Sequence, residues 1–109
     1  MGRREPEGAG MRTFFCKLIP PRPTFMQDMT EAEAALMREH VAYWRGLLDS
    51  GQAVAYGPVD DPQGGYGIGI VAVEDEADID ALGANDPTVK ADRGFRFEAL
   101  PMPRLITRA

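Results

Sequence analysis

The chain is poor in the residues that most readily announce a function. Its 109 residues include one cysteine, Cys16, and one histidine, His40. A lone cysteine closes no internal disulfide, and with a single histidine beside it no transition-metal cage can be assembled, so neither a disulfide scaffold nor a metal site is expected. Long apolar runs are also missing. Residues 70–73 form one of the longest, far short of the roughly 20 residues that a membrane-spanning helix needs. No charged-then-apolar opening of the secretory kind is present. Nor is there a basic cluster: the formal net charge is -5, and the one basic pair, Arg3-Arg4, sits beside Glu5 and Glu7. Binding to nucleic-acid phosphates requires a positive surface, so no nucleic-acid partner and no membrane partner are expected. An unpaired cysteine fits a reducing compartment, and the expected location is cytoplasmic.

What is present is enough for one core. Hydrophobic residues make up 44% and charged residues 27% of the chain, as in ordinary globular domains. Residues 1–10 (MGRREPEGAG) offer charge, glycine and proline but no apolar anchor, and read as a flexible leader. Residues 11–109 read as a single domain.

Within that domain, residues 12–19 (RTFFCKLI) are apolar on both alternating sets and suit a strand, ended by Pro20, Pro21 and Pro23. Thr30 followed three residues later by Glu33 has the spacing of a reciprocal helix cap. Behind it Met37, Val41, Trp44 and Leu48 make one apolar stripe, and Gly51 can close the helix in the left-handed conformation. Residues 52–57 read as a strand, residues 58–65 as a turn rich in breakers, and residues 66–73 (YGIGIVAV) as a second strand, together a hairpin. Asp75 can cap a short helix with Ile79 and Leu82 facing inward, and Asn85-Asp86-Pro87 stops it. Residues 95–100 (FRFEAL) alternate as a half-buried strand does.

The order βαββαβ, with right-handed crossovers, folds most simply as a ferredoxin-like α+β domain: a four-stranded antiparallel sheet with two helices on one face. Two helices cover one face only, yet the first and third strands carry apolar residues on both. A homodimer packed sheet against sheet is the expected way to hide the second face.

His40 lies on the flank of the helical stripe, where a side chain can be shielded and still reach a cleft. Imidazoles titrate near ~6.5 and exchange protons at neutral pH, which makes it the candidate acid or base. Asp86 is the candidate partner, since a carboxylate beside a histidine fixes its tautomer and balances its charge. Each also has a plain structural reading, His40 as a packed residue and Asp86 as the shaper of the turn before Pro87. Cys16, in a strand, reads as inert core. The glycines at 64, 65 and 67 make a turn, with no helix behind them to complete a phosphate loop.

The run from His40 through HVAYWRGLLDSGQAVAYGPV, together with ANDPTVKAD at residues 84–92, resembles the YCII-related domain over roughly residues 12–101. That resemblance implies a dimeric α/β barrel of the muconolactone isomerase-like kind, and implies that His40 and Asp86 are the active-site pair. Most proteins of this family have no assigned reaction; a few resemble lyases that remove HCl from chlorinated hydroxyquinols, and related barrels isomerise lactones. The expected function is therefore a cofactor-independent lyase or isomerase acting on a small cyclic or aromatic substrate. Its pocket is expected to be lined by Tyr43, Trp44, Tyr56, Gly57 and Pro58, and no cofactor is expected. The competing expectations are a non-catalytic dimeric module that binds a small ligand, and a His40–Asp86 clasp with a structural role alone. The proline-rich segment PPRPTFMQDMT is a departure from the family pattern.

Overall fold

The longest helix is sealed at both ends by the residues its sequence nominates. Thr30 Oγ1 accepts from the Glu33 N–H while the Glu33 carboxylate accepts from the Thr30 N–H, so two otherwise orphaned donors are satisfied at the N-terminus. At the other end Gly51 takes a left-handed φ of 89° and returns its N–H to Leu48 O, a conformation that a side chain would strain.

The structure is a computed structural model that describes residues 11–108. The leader expected at residues 1–10 lies outside the described residues. The elements run β1 (Arg12–Ile19), α1 (Phe25–Asp28), α2 (Glu31–Ser50), β2 (Ala53–Val59), β3 (Tyr66–Val73), α3 (Glu76–Ala84), α4 (Pro87–Lys90) and β4 (Arg96–Met102). The strands form one antiparallel sheet in the order β2-β3-β1-β4. This is the ferredoxin-like arrangement. No helix among the described residues is long and apolar enough to cross a membrane.

Two short helices, α1 and α4, add to the two expected. Each has four residues, barely one turn and too few to show a helical period. The local chemistry of α4 is nonetheless favourable: Asp86 caps it through the Thr88 N–H, and Pro87 at its first position already holds a helical φ. The sheet edges also differ from expectation. β2 continues through Pro58 to Val59 and β4 through Pro101 to Met102. Both are outer strands, the one place in a sheet where a residue without an N–H can sit unpaired.

On the helix-facing side of the sheet, Phe14, Cys16, Val71 and Val73 pack against Trp44, Ile79 and Leu82, all buried. Fully burying side chains of this size contributes roughly 1.5–3 kcal/mol each. Two glycines permit the close fit. A Cβ at Gly69 would overlap the Trp44 ring, and one at Gly83 would overlap the Phe97 ring. A second cluster joins Leu18, Phe25 and Phe95.

The apolar stripe of α2 is less sealed than its pattern suggests. Trp44 is its one buried residue, while Val41 is 50% exposed. The reason is a cavity between α2 and the sheet, described below. On the opposite sheet face the register aligns Ala55, Ile70, Phe15 and Leu100 in one apolar row, and Leu100 is 64% exposed.

Candidate functional site

Asp86 stands just past the end of α3 and caps α4, which leaves its carboxylate pointing back at α2. It is wholly inaccessible to solvent. Its Oδ1 accepts from the Thr88 N–H at 2.9 Å and the Thr88 hydroxyl at 2.7 Å. Its Oδ2 accepts from the Trp44 indole N–H at 2.8 Å. His40 Nδ1 lies 2.8 Å from Oδ2 and 3.1 Å from Oδ1. His40 and Trp44 are one helical turn apart on α2, which is why one carboxylate can meet both.

Burial pushes the Asp86 carboxyl pKa upward, but the hydrogen bonds and charge of His40 and the two Thr88 donors outweigh it and hold the group below its ordinary value. Asp86 is therefore an anion at neutral pH. An ionised carboxylate only accepts, so Nδ1 carries the proton shared with it and the neutral ring presents Nε2 as its basic nitrogen. Among the described residues Nε2 has no hydrogen-bond partner.

His40 borders a cavity of about 260 Å³ between α2 and the sheet. Trp44, Tyr56, Phe95 and Phe97 supply aromatic surface, and Leu18, Met37 and Val41 supply aliphatic surface. The Trp44 and Tyr56 rings stand 6.0 Å apart at 42°. The lining is mostly apolar, with His40 among the few residues on it that carry a polar side chain. Cys16 is also part of the lining, but burial pushes its thiol up to about 12, so it is no thiolate nucleophile at neutral pH.

Of the residues expected to line a pocket, Trp44, Tyr56, Gly57 and Pro58 border this cavity. Tyr43 does not. It sits about 100° around α2 from Trp44, and its hydroxyl donates to Leu82 O at 2.6 Å, tying α2 to α3. Burial, and secondarily the negative charge of Asp86, raise its pKa. Tyr43 thus lies away from this cavity, between α2 and α3.

Sequence reasoning had no role for Thr88, for the Trp44 indole N–H, or for Pro20 and Met26, which also line the cavity. Thr88 had a signal: an Asp immediately before a helix-initiating Pro accepts from the N–H two residues on. The other contacts are long-range and leave no local trace. Among the described residues no group of three or more His, Cys, Asp or Glu side chains is placed to hold a metal ion.

The family model for the YCII-related domain matches residues 13–103. No curated protein matches the chain. Among solved structures, an uncharacterised protein from Thermotoga maritima is similar with a TM-score of 0.50 at 10% identity, covering 84% of this chain and 98% of that one. A protein of unknown function from Nitrosomonas europaea has a TM-score of 0.48 at 14% identity, covering 94% of this chain and 99% of that one. At such identity the first likeness speaks to the fold alone, and the second carries no further argument.

Proposed function

The chain belongs to the YCII-related domain family, and with that as premise we propose that it is a cofactor-independent lyase or isomerase that moves a proton on a small cyclic or aromatic substrate. His40 is its acid or base and Asp86 its positioning partner. One observation carries the reading: the saturated, buried carboxylate of Asp86 engages His40 Nδ1 at 2.8 Å, while the ring borders an apolar cavity. The pair then divides its labour as triads do. Nε2 takes or delivers the proton, and the carboxylate holds the tautomer and balances the imidazolium that forms. In an HCl elimination Nε2 would accept the substrate proton, the electron pair of that broken bond would form the new double bond, and chloride would leave with the electrons of the C–Cl bond.

A chlorinated hydroxyquinol is the substrate to try first, with chloride release as the measurement. Turnover in excess of protein is expected, falling about 10²–10⁴-fold in His40→Gln. Equal turnover by His40→Gln would remove His40 from the chemistry.

A second reading has its own support. Because Asp86 accepts from four donor groups, the pair ties α2 to α4 whatever else it does, which suits a non-catalytic dimeric module that binds a small ligand. A ligand recovered unchanged after long incubation with the protein favours this alternative.

Both readings include a homodimer packed sheet against sheet, supported by the row Ala55, Ile70, Phe15 and Leu100 on the face opposite α2 and α3. Sedimentation should give a dimer that Leu100→Glu splits into folded monomers. A wild type that stays monomeric at high concentration would rule the dimer out. A cytoplasmic location is in keeping with the unpaired Cys16, and cell fractionation checks it.

A further inference from the structure

The side chains of the proline-rich segment between β1 and α2 are among the most heavily bonded on the surface. Arg22 Nε donates to Asp28 Oδ1 at 2.8 Å. Its Nη1 and Nη2 donate to the two oxygens of Glu33 at 2.9 and 2.8 Å, and Nη2 also reaches Asp28 O at 3.1 Å. The remaining Asp28 oxygen takes the Thr24 hydroxyl at 2.7 Å. A planar fork that spans two carboxylates in this way cannot be reproduced by an ammonium.

The segment is also nailed from inside. Phe25 is completely buried and stands edge-on to Phe95, with ring centroids 5.2 Å apart at 82°. The Arg22 guanidinium lies over its outer face, 5.3 Å from the ring centroid. On a third side the β2–β3 turn fits against it without side chains. A Cβ at Gly65 would come within 2.9 Å of Met26 Cγ, and one at Gly64 within 3.0 Å of Pro23 Cα.

Pro20, Met26 and Phe95 all border the cavity beside His40, so what holds this segment in place also shapes the cavity. We propose that residues 20–30 are a fixed wall clasped by Arg22, and that Met26 on this wall sets the size of the uncharged ring the cavity admits. The proposal rests on the cavity being a ligand site, as in the function proposed above. Arg22 touches no ligand in this scheme; it is a positioning residue acting through Met26. A larger ring must fit past the Met26 side chain, because displacing the backbone would break the fork to Asp28 and Glu33 and expose Phe25. Thioether chains are unbranched and compressible, so Met26 grades ligands by size without excluding a narrow class outright.

Phenol and 1-naphthol are the probes. Trp44 is the single tryptophan in the chain, so its indole N–H gives one NMR signal whose shift reports occupancy next to His40. Met26→Ala should raise the 1-naphthol to phenol affinity ratio by about tenfold or more, the scale on which an apolar pocket reads missing carbon, and Met26→Phe, which adds bulk without a second indole, should lower it. Arg22→Ala should move the ratio in the direction of Met26→Ala, and Arg22→Lys should not restore it. A general loss of stability would weaken both probes together and leave the ratio alone. Ratios within about twofold of wild type in Met26→Ala, with both probes bound, overturn the wall and leave the ligand site standing. If neither probe shifts the Trp44 signal in the wild-type protein, the ligand site and the wall fall together.

Discussion

Two carboxylate knots tie α2 to a neighbouring segment, and their surroundings are opposite. Asp86 receives His40, Trp44 and Thr88 in an interior that excludes water. Glu33 and Asp28 meet one guanidinium at the surface, where the Arg22 side chain is 34% exposed. An unpaired charge in the dry knot has no solvent to fall back on, so breaking it is expensive. Opening the wet knot exchanges protein contacts for water, so its worth lies in where it holds Pro20 and Met26 more than in stability. Similar chemistry thus serves strength in one place and position in the other.

The comparison can be broken most directly by removing the central group of each, an acceptor in one and a donor in the other. Asp86→Ala strands four buried donor groups and is expected to cost about 3–5 kcal/mol in urea unfolding. Arg22→Ala should cost visibly less, and its cost should shrink further at about 1 M salt, where charges are screened beyond about 3 Å. Equal losses in the two variants would mean that the surroundings do not set the difference.

Acid sharpens the contrast by a smaller effect. Arg22 and the Thr30 N–H pull the Glu33 carboxyl down to about 2 from 4.5, and Asp86 is also held below its ordinary value. Both groups bind protons less readily folded than unfolded, so acidification favours the unfolded chain. The Glu33 contribution is complete above 4.5 and fades as pH falls towards about 2. That of Asp86 is complete above the ordinary carboxyl range near ~4 and is lost as pH drops through its lower folded value. Urea unfolding across pH 2–6 should therefore show declining stability on the acid side, shallower in Asp86→Asn, with added salt flattening only the share due to Glu33. A decline of unchanged slope in Asp86→Asn would show that the buried carboxylate is not one of its sources.

Much of this was legible in the sequence wherever the cause is local. Thr30 and Glu33, Asp75, and Gly51 mark helix ends through groups three residues apart or fewer, and the short two-sided apolar runs of β1 and β3 with the alternation in β4 announce a sheet. Legibility weakens where the partner is distant. Met37, Val41, Trp44 and Leu48 have the spacing of a buried stripe, yet Val41 borders a cavity and is half exposed. Tyr43 is an aromatic next to Trp44 in sequence and on another side of the helix in space. The helices α1 and α4 escape notice because one turn has no period.

Sequence by itself determined the order of the four strands and the two longer helices, the caps, and the presence of one imidazole on a helix flank, since all of these depend on bonds and periods spanning a few residues. Only the tertiary structure decided that the Asp86 carboxylate reaches both His40 and Trp44, that Tyr43 turns away to Leu82, and that Arg22 bridges Asp28 and Glu33 beside the cavity. Those arrangements depend on how α2 lies over the sheet and on what space the packing leaves, and no run of neighbouring residues encodes that.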